Sequence, residues 1–325
     1  MLDSAGRQEQ NIDTNGVTLR TIVEGSGPLV ILLHGYPRCW YLWRHQIDPL
    51  KEAGFRVAVP DQRGYGASSC PPRIEDYNIL ELAADVIGLA DALGEEKIYL
   101  VGHDWGCIVA WYTALLYPHR LHCVMGLSVP LLPIGPRTVN PPGLDDRFWY
   151  IRYFQNPGVA EKEFEADIDR TMRFINGDPS ERAAANQNPK PRDDSMFGSA
   201  EPPANLWSAI TPADHAYYVA SFEQSGFRGP LSWYRNMSRI PTLAPWLYKA
   251  KVQVPAYFLA GTDDPVLQFS EGSYDAQDRN FADLRGKQLI PGAGHWVQEQ
   301  KPTETSAAIV EFLDGIRAET TAATK

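Results

Sequence analysis

Tyr99-Leu100-Val101-Gly102-His103-Asp104-Trp105-Gly106-Cys107 is the stretch that decides how this chain is read. An apolar strand, predicted over 97–101, runs directly into Gly-x-Asp-x-Gly, and a helix is predicted from Cys107 to Tyr117. A turn this tight admits only small residues beside the central one, whose side chain then stands above the strand ends. The residue presented is Asp104. Many turn aspartates only hydrogen-bond their own backbone; the strand before this one and the helix after it point to function. The residue type then selects the chemistry. A serine oxygen that opened an alkyl electrophile would leave an ether, which water does not readily cleave. A carboxylate leaves an ester, which water can cleave at the acyl carbon and so regenerate the enzyme. Asp104 in this turn therefore points to displacement at a saturated carbon rather than acyl transfer.

Working outward, strands and helices alternate on both sides of the turn. Strands are predicted over 17–23, 29–33, 55–59 and 121–128, and helices over 40–53 and 79–93. The run Leu29-Val30-Ile31-Leu32-Leu33 is apolar throughout, as in a strand buried on both faces. This βα alternation implies a mostly parallel sheet flanked by helices. Prolines 130, 133, 136, 141 and 142 then crowd a linker, and no strand pattern follows until about Trp246. The intervening segment has helix-like stretches at 161–174 and 212–223. The sheet pattern resumes at 254–260 and 287–290, and a last helix is predicted over 303–316. The expected organisation is thus an α/β core of residues 1–129 and 247–325, with residues 130–246 as an inserted helical cap.

Composition sets the outer limits. The chain has 325 residues, 44% hydrophobic and 22% charged, with a formal net charge of −10. That length fits one large α/β domain or two unequal ones. An acidic chain without a basic stripe is a poor phosphate-backbone binder, so no nucleic-acid partner is expected. No apolar run reaches eighteen residues, and stable membrane insertion is not expected. Met1-Leu2-Asp3-Ser4 and the residues after it are polar, without the pattern of a secretory signal. Cys39, Cys70, Cys107 and Cys123 are widely spaced, so metal and redox motifs are weak and a cytoplasmic location with reduced thiols is the expectation. The sequon Asn236-Met237-Ser238 is then a chance match, and the tail from Ala318 to Lys325 is expected to fray.

Three further stretches supply partners for Asp104. His34-Gly35-Tyr36-Pro37 follows a buried strand and can offer a backbone N–H to an oxyanion. The residue after the nucleophile offers a second, so the two donors are assigned to Tyr36 and Trp105. Gly261-Thr262-Asp263-Asp264-Pro265-Val266 follows the strand at 254–260, where a carboxylate can orient a histidine; spacing alone does not choose between Asp263 and Asp264. Gly292-Ala293-Gly294-His295-Trp296 is a flexible loop that can aim His295 at the site. Of the seven histidines, His295 alone has this placement; His103, His119, His122 and His215 read as packing or surface residues.

Taken together, these stretches resemble the soluble epoxide hydrolases of the α/β-hydrolase superfamily, over nearly the whole chain. Further anchors are Trp43-Arg44-His45-Gln46, Asp61-Gln62-Arg63-Gly64-Tyr65-Gly66 and Gly294-His295-Trp296. Residues Tyr150 to Gly158 and Gly226 to Asn236 look like the family's cap signatures. The resemblance implies an α/β-hydrolase fold and conversion of epoxides plus water to vicinal diols through a covalent hydroxyalkyl ester on Asp104. It implies His295 as the general base and favours Asp264, from the pattern Gly-x-x-Asp-x-Val, as the acid that orients and polarises it. It further implies Tyr150 and Tyr234 as proton donors to the epoxide oxygen, with Tyr153 the nearest competitor. No metal or organic cofactor is implied.

Two other classes fit parts of this pattern. A haloalkane-type dehalogenase on the same fold would also use an Asp nucleophile but would need halide-binding N–H donors in place of phenols. A non-catalytic ligand receptor on this scaffold would not need Asp104, Asp264 and His295 together. The aromatic residues of 145–155 and 233–248 suggest an apolar pocket, which leaves lipid, terpene and aryl epoxides open as substrates. The sequence does not decide oligomeric state.

Overall fold

The structure, a computed structural model, describes residues 6–181, 190–269 and 272–323. The described chain falls into two compact units. One comprises Arg63–Asn78 and Ile134–Pro245; the other holds the remainder, including all strands of the sheet.

The larger unit is built on one eight-stranded sheet. Its strands are β1 (Glu9–Thr14), β2 (Val17–Gly25), β3 (Leu29–Leu33), β4 (Arg56–Pro60), β5 (Ile98–His103), β6 (Leu121–Leu127), β7 (Ala256–Gly261) and β8 (Leu284–Ile290). They lie in the order β1-β2-β4-β3-β5-β6-β7-β8. Pairings from β4 to β8 are parallel, while β1–β2 and β2–β4 are antiparallel. β3 is wholly buried, as its unbroken apolar run requires of a central parallel strand. The flanking helices include α1 (Ile47–Glu52), α2 (Ile79–Ala92), α3 (Trp105–Leu116) and the C-terminal helix Pro302–Ala323.

Most predicted elements are present, and the larger unit differs from the expectation as follows. The helix expected over 40–53 is a short 3-10 turn at Trp40–Trp43 followed by α1. The break lets Arg44 reach Glu299 and lets the buried Gln46 side chain donate to the carbonyls of Gln298 and Pro302. β1 is not among the predicted strands. The tail expected to fray from Ala318 is helical as far as Ala323; residues 324 and 325 lie outside the described residues, as does the polar start at 1–5.

The smaller unit has no strand among its described residues beyond isolated bridges. The helix-like stretch 161–174 is two helices, Val159–Glu165 and Ile168–Asn176. Asp167 separates them and caps the second, accepting from the Arg170 N–H at 2.8 Å, the usual role of an Asp at that position. The remaining long elements are Pro212–Ser225 and Arg228–Arg235. Trp233 is fully buried in this unit and donates from its indole to the Arg63 carbonyl at 3.1 Å.

The turn at Asp104 depends on close backbone approach. A Cβ added at Gly106 would lie 2.2 Å from the Leu33 carbonyl oxygen and 2.5 Å from that of His34. Both obstacles are backbone, so neither can swing aside. Gly106→Ala is expected to cost roughly 3 kcal/mol of stability, read as a lower urea midpoint with an unchanged denaturant slope.

Candidate active site

Four parallel strands in succession, β5 to β8, are followed at their C-terminal ends by Asp104, Ser128, Asp264 and His295. Backbone groups at such ends have left the ladder and are free to serve a site. Asp104 has φ 53° and ψ −120°, a left-handed conformation that costs a non-glycine residue energy and is characteristic of residues held for function.

The Asp104 carboxylate is divided between two sets of partners. Oδ1 accepts from the Tyr36 backbone N–H at 2.7 Å, while Oδ2 lies 3.6 Å from His295 Nε2, an ion-pair distance. The Trp105 N–H also hydrogen-bonds this carboxylate. The loop that brings Tyr36 so close needs glycine at 35, since a Cβ there would fall 2.3 Å from Asp104 Oδ1. His34 fixes the same loop. Its Nε2 accepts from the Gln62 N–H at 3.0 Å and its Nδ1 donates to the Gly35 carbonyl at 3.1 Å. Burial lowers its pKa to about 4, so the neutral ring that this pattern needs is the form present.

On the far side of His295, Nδ1 faces Asp264 Oδ1 at 3.2 Å and the Ser128 hydroxyl at 2.8 Å. Asp264 is fully buried and also accepts from the Val266 N–H at 2.9 Å. Asp263 is exposed, and its carboxylate accepts from the Thr262 hydroxyl. The choice left open by spacing therefore falls on Asp264 by position. His103 is buried, as a packing residue should be, but its contacts belong to the site: Nε2 donates to the His295 carbonyl at 2.7 Å, and the two rings lie 4.8 Å apart. Burial and the neighbouring His295 charge lower the His103 pKa to about 4.

Electrostatics tie the three titratable groups into one unit. Burial disfavours the Asp104 charge, but His295, His103 and the Trp105 N–H together hold its pKa below the usual carboxylate value. Asp264 is likewise opposed by burial and lowered by His295, Ser128 and the Val266 N–H. For His295 burial acts downward, yet the charge of Asp264 and the interaction with Asp104 raise its pKa to about 10. The resting site is thus an imidazolium between two carboxylates. Because the His295 pKa is raised, the stability it contributes is complete below about pH 6.5, the ordinary histidine value, and is lost as pH rises through about 10.

The smaller unit brings the two tyrosines of interest together. The rings of Tyr150 and Tyr234 are 6.1 Å apart, edge to face, and both pack on Phe154. Tyr153 points its hydroxyl to Glu163 Oε2 at 2.6 Å. Sequence reading missed Ser128, because a single serine after a strand carries no signal of its own.

With this geometry in place, the comparisons with known proteins are specific. Residues 28–302 match the α/β-hydrolase fold family. The chain is 42% identical over 319 residues to epoxide hydrolase A of Mycobacterium tuberculosis, covering 95% of this chain and 98% of that one. It is similar to the crystal structure of epoxide hydrolase A from Mycobacterium thermoresistibile, with a TM-score of 0.87 and 43% identity over 95% of this chain and 98% of that one. An epoxide hydrolase from an endophytic Streptomyces matches with a TM-score of 0.89 and 34% identity, covering 96% and 97% of the two chains. The protein is an α/β-hydrolase. Within that fold it belongs to the epoxide hydrolases, enzymes that work through a covalent ester on an aspartate.

The coupling of charges is open to direct measurement. In Asp104→Asn the second carboxylate is gone, leaving burial and Asp264 in opposition. The His295 imidazole resonances are expected to titrate well below pH 10 in that variant, followed by NMR. An unchanged titration would mean that Asp104 does not hold the proton.

Proposed function

We propose that this chain opens apolar epoxides to vicinal diols with Asp104 as the nucleophile. The observation that carries the assignment is the division of the Asp104 carboxylate between the Tyr36 N–H and His295. Oδ1, held by the Tyr36 amide, becomes the carbonyl oxygen of the ester, and the Trp105 amide, which also bonds this carboxylate, is its second donor in this reading. Oδ2 is the oxygen left to attack an epoxide carbon in line. Tyr150 and Tyr234 hydrogen-bond the departing oxygen and protonate it while it remains tethered to the product. Their paired rings, and the engagement of the Tyr153 hydroxyl by Glu163, support this choice of donors.

Esterification changes the base. Asp104 loses its charge when it becomes an ester, so one of the two groups that raise the His295 pKa disappears at that step. Burial still pushes the pKa down, and once the ester exists His295 can give up its Nε2 proton, which passes through water to the tyrosinate left by ring opening and restores that phenol. With Asp264 orienting Nδ1, Nε2 then takes a proton from a water that attacks the ester's acyl carbon. The tetrahedral oxyanion forms on Oδ1, where the Tyr36 amide already points, with the Trp105 amide as the second donor in this reading; each such donor is worth about 3 kcal/mol. As the intermediate collapses, His295 returns its proton to the departing diol oxygen. The water's second proton stays on the freed Asp104 carboxyl, which passes it to His295 and restores the resting ion pair.

Residues 1–129 and 247–325 form the catalytic core in this reading and 130–246 the cap. No helix among the described residues is long and apolar enough to cross a membrane. A cytoplasmic location is part of the same reading, supported by four cysteines that are all free.

A single turnover in oxygen-18 water tests the route. The first diol should carry ordinary oxygen taken from Asp104, and the label should appear in the enzyme; heavy oxygen in that first diol would reject the ester. Tyr150→Phe and Tyr234→Phe should each slow ester formation about a hundredfold, read by rapid-quench mass measurement of the alkylated protein.

A further inference from the structure

We propose that Ser128 is a fourth member of the site, a positioning residue that shares the Nδ1 proton of His295 with Asp264 and so governs hydrolysis of the ester. The proposal rests on the reading of Asp104 as nucleophile and His295 as base. Three observations carry it. Ser128 Oγ lies 2.8 Å from His295 Nδ1, closer than the 3.2 Å of Asp264 Oδ1. Ser128 is fully buried and has φ 75°, a left-handed conformation that a serine adopts at a cost. It follows β6, the strand between those that lead to Asp104 and Asp264, and its own N–H is fixed to the Leu259 carbonyl of β7 at 2.9 Å.

The hydroxyl can do two things at once. Its oxygen accepts from Nδ1–H, which orients the ring and favours the imidazolium. Its proton is available to the Asp264 carboxylate, whose charge the hydroxyl supports. One N–H cannot make two full hydrogen bonds, so the serine bond and the carboxylate bond share it, and the imidazole is held from two directions rather than one. A ring so held keeps Nε2 aimed at the ester carbon after Asp104 has lost its charge, when the side-chain hydrogen bonds left to the ring among the described residues are those at Nδ1. Ester formation draws on Asp104 itself and needs this tether less.

The test compares wild type with Ser128→Ala and Ser128→Gly; the glycine also relieves the backbone strain, so a loss common to both variants belongs to the hydroxyl. With styrene oxide, rapid-quench mass measurement should show ester formation within about twofold of wild type in both variants. Ester hydrolysis should be roughly tenfold slower, the size of one charge-assisted hydrogen bond, so that alkylated enzyme accumulates. The acidic limb of the kcat profile and the His295 NMR titration should both move to lower pH. Unchanged hydrolysis, or equal loss in both steps with the limb unmoved, overturns the proposal, the second outcome marking a merely structural serine. A wild-type enzyme that forms no ester would instead overturn the reading of Asp104. In that case the His295 titration alone decides the Ser128 contact, and an unmoved titration in both variants rejects it.

Discussion

Burying an imidazolium between two carboxylates is the demand that shapes this site. Each charge alone would be costly away from water. Together they are better tolerated where the carboxylates meet further donors. The backbone supplies three: Tyr36 and Trp105 N–H on Asp104, and Val266 N–H on Asp264 Oδ1. Such amides lie in the loops that leave the sheet and in the first turn of the helices that follow, where the helix itself does not use its N–H groups. That is why the site stands at the C-terminal ends of parallel strands, and why its turns are tight, rich in glycine and, at Asp104 and Ser128, left-handed.

The same demand gives the two half-reactions their order. While Asp104 is charged it is the better nucleophile, and it also keeps His295 protonated and unable to act as a base. Losing that charge to the substrate removes part of what holds the proton. The base is therefore released by the step that creates its substrate, and water is not activated against an empty site. No moving part is needed; the switch is the neutralisation of one carboxylate next to a buried ring.

Much of this was legible because the responsible signals are local. The buried strand Leu29–Leu33, the glycines around Asp104 and the loop before His295 each state their geometry within a few residues. What stayed hidden depends on partners far along the chain. Ser128 becomes a site residue only because β6 lies beside β7 and 167 positions separate it from His295. Asp264 could be separated from Asp263 only by family pattern, since burial, not spacing, distinguishes them. β1 is a different kind of miss. Asn15-Gly16, both at positive φ, joins β1 to β2 and is a strong hairpin signal that was present in the sequence. The polar character of Glu9–Thr14, an exposed edge strand, masked it.

The motif Trp43-Arg44-His45-Gln46 has no place in the chemistry, yet its structural task bears on it. Arg44 meets Glu299 at 2.6 Å, and Arg38, one residue beyond the cis Tyr36–Pro37 bond, meets the same carboxylate at 3.2 Å while stacking on Trp296. A buried ion pair of this kind adds little net stability, because desolvation offsets most of the attraction. Its contribution is geometric. It joins the loop that carries the Tyr36 N–H to the loop that carries His295, and the Gln46 bond to the Gln298 carbonyl reinforces the join. The distance between the Tyr36 N–H and the His295 ring is thereby set by a rigid set of charged planar groups, not by two independent loops. The break between Trp43 and α1 follows from this arrangement, since a continuous helix would carry Arg44 and Gln46 around its axis and away from residues 298 and 299.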